Sequence, residues 1–272
     1  MIGRRERGAG YVILTAAAAV ALLPLVGVVL LALNSPGGSG ALSPATATHL
    51  GNFATAWRAA GFGPALWAST VITLATVVIS VAVSVPAGFA FGTMRFRGRS
   101  VLFYLLLLGL LIPLEAMIIP LYFDLRRFGL TGNYWSVILP DPALSTAFGV
   151  FWMRAFFLSA PRSLVEAARL DGATVLTLLR RVLLPLARPQ VLTLAVLVFV
   201  WTWNDFLLPL VMLSGSTIQT APISLVFFQS QHTTNYTYLA AAAIITALPV
   251  VAVYVLLQRS FVRGLLAGAM KE

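Results

Sequence analysis

Acid–base chemistry is sparse in this sequence: eight carboxylates and two histidines, His49 and His232, among 272 residues, with no cysteine. Thiolate metal sites and disulfides are therefore excluded, and two distant histidines support neither a metal site nor a Ser-His-Asp arrangement. No catalytic residue and no metal ligand are expected. Two sets of polar residues remain. Glu115 and Asp205 interrupt long apolar runs, where an ionisable side chain is costly and by default marks a functional position. Glu166-Ala167-Ala168-Arg169-Leu170-Asp171-Gly172-Ala173 lies instead in a polar stretch of 32 residues from Ser159 to Gln190. A connection of that length between apolar runs is either structured and functional or disordered.

The local signals favour structure. Ser163-Leu164-Val165-Glu166 matches the capping box, in which the serine bonds the amide of the glutamate and the carboxylate reaches back to the serine amide. A helix from Leu164 would run through two alanines and stop at Gly172, a residue suited to the left-handed conformation beyond a helix end. Two turns span roughly 12 Å, too short to be stable without docking on something. A second helix is expected from about Thr174 until Pro185 ends or kinks it. The pattern leaves open whether this elbow projects toward a partner or lies on the membrane with Arg180, Arg181 and Arg188 near anionic lipid.

The elements that position these residues follow from composition. The chain is 60% hydrophobic and 10% charged, with a mean hydropathy of +0.94, whereas soluble domains carry about 25% charged residues. Segments of about 20 apolar residues cross a bilayer, and six are expected: Tyr11–Leu33, Ala65–Met94, Val101–Phe123, Ser136–Leu158, Val191–Leu213 and Leu239–Gln258. Asp141 and Pro142 mark a true start near the beginning of the fourth. The first apolar run is longer than a signal-peptide core. The fold class is an all-α membrane protein of six transmembrane helices, with an elbow between helices 4 and 5. Residues 1–10 form an N-terminal tail, 11–258 one transmembrane domain with the polar segment 159–190 inside it, and 259–272 a C-terminal tail. Pro24, Pro86, Pro113, Pro120, Pro209 and Pro249 interrupt the spans, as is tolerated where neighbouring helices or a cavity satisfy the backbone.

Orientation follows from arginine and lysine. Fifteen of the eighteen basic residues fall on the side that holds both tails, the second loop (Arg95, Arg97, Arg99) and the Glu166 segment, and only Arg58, Arg126 and Arg127 fall on the other. By the positive-inside rule both termini and the elbow are cytoplasmic in a multi-pass protein of the cell membrane. The net charge of +10 is thereby a topology signal, and no nucleic acid is expected. The polar loop around Gln229–Tyr238 is expected outside.

Glu166-Ala167-Ala168, Asp171-Gly172-Ala173 and Leu184-Pro185 resemble the cytoplasmic loop motif of ABC-importer permeases, in particular the carbohydrate-uptake branch typified by the second permease of maltose systems. Leu176 or Leu179 stands where that motif often has an aromatic residue. Ile112-Pro113, Ile119-Pro120-Leu121-Tyr122, Trp203-Asn204-Asp205-Phe206 and Gln258-Arg259-Ser260-Phe261 are similar to the same family. The likeness runs from about Ala65 to Glu272. It implies that Glu166, Ala167, Ala168, Arg169, Asp171, Gly172 and Ala173 form a coupling helix and its turn, seated on an ATPase. It further implies a second homologous permease, a cytoplasmic ATPase dimer, an extracytoplasmic solute-binding protein and a carbohydrate-like substrate within the lipid bilayer. The chain has no G-x-x-x-x-G-K-[ST] loop, so ATP and Mg belong to the partner, and the chain itself needs no cofactor and is no enzyme.

Within the fifth span, Trp201 and Asp205 stand at i and i+4 on one helix face, with Asn204 a step round. An indole beside amide and carboxylate groups could contact a sugar, and Glu115 is a further candidate on the substrate pathway. The rival reading is a secondary transporter driven by an ion gradient through Glu115 and Asp205. An intramembrane enzyme lacks a catalytic pair at helix spacing.

Overall fold

A computed structural model of the chain describes residues 4–35, 48–229 and 234–269. The expectations for the centre of the Gln229–Tyr238 loop, for most of the proline- and glycine-rich run after Asn34, and for Lys271 lie outside the described residues. Thirteen α-helices follow one another among those residues: α1 Arg4–Leu33, α2 Gly51–Ala59, α3 Phe62–Thr93, α4 Arg99–Leu108, α5 Leu114–Arg127, α6 Trp135–Ile138, α7 Pro140–Ser159, α8 Arg162–Leu170, α9 Val175–Thr177, α10 Leu184–Asn204, α11 Leu207–Met212, α12 Ala221–Ser224 and α13 Tyr236–Ala269. There is no strand among the described residues, and a single bridge joins Gln229 and Thr234.

Four helices are long and apolar enough to cross a membrane: Gly10–Leu33, Phe62–Thr93, Val175–Asn204 and Tyr236–Gln258. The number rises to six if each of two bent pairs counts as one span. The expected continuous third span, Val101–Phe123, is one of these pairs. Its halves, Arg99–Leu111 and Leu114–Arg127, bend by 97°. Pro113 disfavours the helical region for the residue before it, and Ile112 is accordingly extended (φ −83°, ψ 117°). The expected fifth span, Val191–Leu213, is displaced: α10 begins earlier and stops at Asn204, because Asp205 is extended at ψ 126°. α7 begins at Pro140, where a proline in the first turn removes an amide that has no helical partner anyway.

The chain divides into two compact units. The smaller combines Met1–Gly63 with Ile223–Leu248. In it α1 is exposed along most of its length, as for a helix facing lipid, and is held at its C-terminal end. There the buried amide of Asn52 donates to the carbonyls of Ala32 (2.8 Å) and Asn34 (2.9 Å), groups a helix end leaves without partners.

The larger unit, Pro64–Pro222 with Pro249–Glu272, has two apolar clusters. One gathers Val85, Phe89, Met153, Phe157, Leu178, Leu179, Leu183, Ala187, Leu194 and Val198. The other gathers Ile72, Ile118, Val137, Ile138, Leu208, Met212 and Leu213. Between them α3 and α7 lie side by side in parallel at a constant offset of 65 residues. Thr76 bonds Asp141 and Ser80 bonds Ser145. A Cβ at Gly149 would collide with the Ser84 hydroxyl, and Cβ atoms at Gly88 and Gly92 would collide with Met153 and Phe157. Small residues every fourth position let two helix backbones approach where lipid offers no hydrophobic drive for association.

Candidate functional site

The polar segment folds as an elbow joined to the first cluster. α7 ends at Ser159, Ala160 and Pro161 turn the chain (ψ 139° and 121°), and α8 begins at Arg162. Helices Trp135–Ser159 and Ser163–Leu170 meet at 81°. The expected capping box does not form. Pro161 occupies the N-cap without a side-chain bond, and its carbonyl takes the amides of Leu164 (3.2 Å) and Val165 (3.4 Å). Ser163 therefore sits inside the first turn, two residues too late to cap it.

The other end matches the expectation in detail. The amide of Gly172 bonds the Arg169 carbonyl at 3.0 Å and that of Ala173 bonds Ala168 at 2.9 Å, the paired bonds of a Schellman motif. Gly172 has φ +76°, and open space surrounds its Cβ position, so the glycine is required by the backbone alone. Thr174 restarts the chain as the N-cap of α9, its hydroxyl accepting from the Thr177 amide at 3.3 Å. Pro185 does not end the second helix. A π-helical turn, Leu178–Leu183, precedes it and leads directly into α10. Such a turn absorbs the amide that proline lacks, so the elbow's second arm is continuous with a membrane-length helix.

The faces of α8 divide sharply. Val165 and Ala168 are half-buried against the first cluster. Leu164, Glu166, Ala167, Arg169, Asp171 and Gly172 are exposed, and Leu170 is 89% exposed. Of the two leucines expected to replace an aromatic, Leu179 is buried and Leu176 is exposed. A cleft of about 600 Å³ brings Glu166 and Arg169 alongside Arg95 and Arg99 of the α3–α4 turn. In the sequence Arg95 and Arg99 register only as positive charge on one side of the membrane, and no spacing links them to the elbow. Among the described residues Glu166 forms no ion pair; the ion pair present, Arg127–Asp124 at 3.6 Å, is exposed and lies elsewhere.

The second polar set is arranged differently. Trp201 and Asp205 do not share a helix face, because the helix stops between them. Asp205 accepts the Leu208 amide at 3.3 Å and so holds the start of α11. The Asn204 amide donates to the Val200 carbonyl at 2.8 Å. Trp201, 46% exposed, packs edge-on against Phe148 with ring centroids 4.9 Å apart. Glu115 is exposed in the first turn of α5, where the helix dipole favours an acid. No hydrogen bond joins it to Trp201, Asn204 or Asp205 among the described residues.

The acid that is buried within an apolar helix is Asp141, 8% exposed. It accepts from Thr76 at 3.2 Å and is also bonded by the Thr202 side chain. In the sequence Asp141 marks only a helix start. The available signal was the spacing of Ser69, Thr73, Thr76, Ser80 and Ser84, which places five hydroxyls on one buried face of α3. Among the described residues no group of three or more His, Cys, Asp or Glu side chains is placed to hold a metal.

Comparison with known proteins fits this architecture. The family described as "Binding-protein-dependent transport system inner membrane component" matches residues 84–266. The arabinooligosaccharides transport system permease protein AraQ of Halalkalibacterium halodurans is 36% identical over 233 residues, covering 84% of this chain and 81% of that protein. The trehalose transport system permease protein SugB of Mycobacterium tuberculosis is 33% identical over 274 residues, covering 99% and 100%. Among solved structures, a chain of a bacterial ABC transporter involved in the import of the acidic polysaccharide alginate superposes with a TM-score of 0.78 at 25% identity, covering 96% of this chain and 99% of that one. With the family matched over more than half its length and relatives aligned almost end to end, this chain belongs to the binding-protein-dependent transport system inner membrane components and is a multi-pass permease subunit of an ABC importer.

Proposed function

We propose that this permease admits a sugar or a related polyol or glycoside, and that α8 is the joint through which a separate ATPase drives it. The substrate class is supported by relatives named for arabinooligosaccharides and trehalose. The coupling role is carried by one observation: a two-turn helix, closed by Gly172 and docked by Val165 and Ala168, leaves its outer face free. A short helix that cannot persist alone moves with what it is docked on, so a push on its exposed face reaches α7 and α10.

On this reading the chain makes six crossings, each bent pair counting as one, with both termini and α8 in the cytoplasm. It works with a second permease, an ATPase dimer that binds ATP and Mg, and an extracytoplasmic solute-binding protein. ATPase closure displaces α8 and opens the bundle outward to the docked binding protein; hydrolysis returns it inward, an equilibrium between two states biased by a distant ligand. Glu166 and Arg169 contribute charge to the ATPase contact, with Ala167, Ala168, Asp171, Gly172 and Ala173 setting its shape. Trp201 supplies an aromatic face for the sugar, with Asn204 beside it, Asp205 holding the helix break and Glu115 at the start of α5. The test is uptake by the reconstituted four-component complex: sugar accumulation that requires ATP and the binding protein supports the reading. Uptake by the permease alone under an ion gradient would overturn it.

A further inference from the structure

We propose that Arg154 is a positioning residue that welds the α8-bearing end of α7 to the end of α3 and the middle of α4, so that displacement of α8 carries all three helices together. The proposal rests on the coupling role given to α8 above.

Arg154 lies five residues before the end of α7 and is half-buried. Its Nε donates to the Phe91 carbonyl at 3.2 Å. That carbonyl belongs to the last turn of α3, where four carbonyls lack helical donors. Ala90 is already served by the Met94 amide at 3.1 Å, and Phe91 is the next in line. The guanidinium carbon of the same side chain sits 4.0 Å from the centroid of the Phe103 ring on α4. Phe103 is 5% exposed, and its ring lies 5.7 Å from that of Phe91. One side chain thus bonds the end of α3 and stacks on α4.

Arginine is suited to both tasks at once, since its donors lie in a plane whose faces stay free to stack. No carboxylate pairs with Arg154 among the described residues. Its charge is met by the negative end of a helix and by an aromatic face.

The backbones touch on both sides of this contact. A Cβ at Gly88 would lie 2.5 Å from the Met153 Cβ and 2.9 Å from the Arg154 nitrogen, and one at Gly92 would lie 2.7 Å from the Phe157 Cβ. Met153 and Phe157 belong to the same cluster as Leu178 and Leu179, against which Val165 and Ala168 of α8 pack. Contact is therefore continuous from α8 through α7 to α3 and α4. Continuity alone is not coupling, so the decisive measurement is functional.

The experiment uses the complete importer in proteoliposomes and reads sugar taken up per ATP hydrolysed, normalised to folded complex. Arg154→Met keeps the apolar stem but removes the bond and the stacked charge. It is expected to lower uptake per ATP about five- to tenfold, the lower range of coupling between distant sites, while hydrolysis continues. Arg154→Lys is expected not to restore the ratio. Unchanged uptake per ATP in Arg154→Met with only a lower Tm, or full recovery in Arg154→Lys, would overturn the proposal.

A second arm does not depend on Arg154 variants folding. The chain has no cysteine, and the Ser80 and Ser145 hydroxyls are 2.7 Å apart, so a Ser80→Cys/Ser145→Cys pair can lock α3 to α7. If the two helices move as one body, the oxidised pair transports like the reduced one. Arrest on oxidation, reversed by reductant, would show that they slide and would sink the proposal. Gly172→Val is run in parallel. If it uncouples the complex while Arg154→Met does not, only this inference falls; if Gly172→Val too leaves coupling intact, the role of α8 falls with it.

Discussion

Two polar stretches end helices in this permease, and they use their side chains in opposite ways. At Glu166–Ala173 the backbone closes itself: the amides of Gly172 and Ala173 reach back to Arg169 and Ala168, and Glu166, Arg169 and Asp171 are left outward. At Trp201–Asp205 the side chains serve the backbone, with Asn204 bonding Val200 and Asp205 bonding the Leu208 amide. A polar residue is available to a partner only when the helix end beside it does not need it. That rule separates a stretch suited to recognition from one that mainly shapes the path of the chain.

The contrast breaks most readily at Gly172. A Cβ there meets no neighbour, but a φ of +76° costs a side-chain-bearing residue about 1–2 kcal/mol, and a β-branched one more. Because the turn is exposed, that strain is released by reorienting α8 rather than held in the fold, so uptake per ATP in Gly172→Val should fall roughly tenfold, measured in proteoliposomes, with little change in Tm. At the second stretch the expected effect is the reverse. Asp205→Ala removes a bond to the first turn of α11 and should cost about 1 kcal/mol, read as a lower Tm of the solubilised complex. Asp205→Asn, which keeps an acceptor oxygen, should recover most of it. If Asp205→Ala instead abolished uptake without moving Tm, its side chain would be working on substrate and the contrast would fail.

Trp201 sharpens the comparison, since it is the member of its stretch with ring surface to spare. Trp201→Ala should raise the KM for uptake several-fold, a change of about 1 kcal/mol, while Trp201→Phe should have less effect. The smallest effect is expected at Ser163. Because Pro161 holds the N-cap position, Ser163→Ala should change stability by less than about 0.5 kcal/mol; a loss of about 1 kcal/mol or more would restore the capping box.

The elbow was legible in the sequence because its determinants are local. Gly172 and Thr174 act within a few residues of themselves, and the helices they bound are where spacing predicts them. Where the reading slipped, a neighbour in the chain outcompeted a pattern. Pro161 displaced the S-x-x-E box, Pro113 turned one expected span into two helices at 97°, and the π turn at Leu178–Leu183 carried the helix past Pro185. Asp205 looked like a mid-span acid because hydropathy does not register a helix that stops and restarts within one apolar run.

The sequence by itself determined the class of this protein. Its apolar content, the distribution of arginine and the Glu166–Ala173 motif follow from composition and short-range spacing, which need no fold to be read. Only the tertiary structure decided which polar groups are buried and with whom. The 65-residue register of α3 and α7, the Asp141–Thr76 bond and the reach of Arg154 to Phe91 and Phe103 all join residues more than fifty positions apart. Such pairings depend on how two helices are rotated and offset when their backbones meet. That is set by the fit of small residues across the seam, and neither helix states it alone.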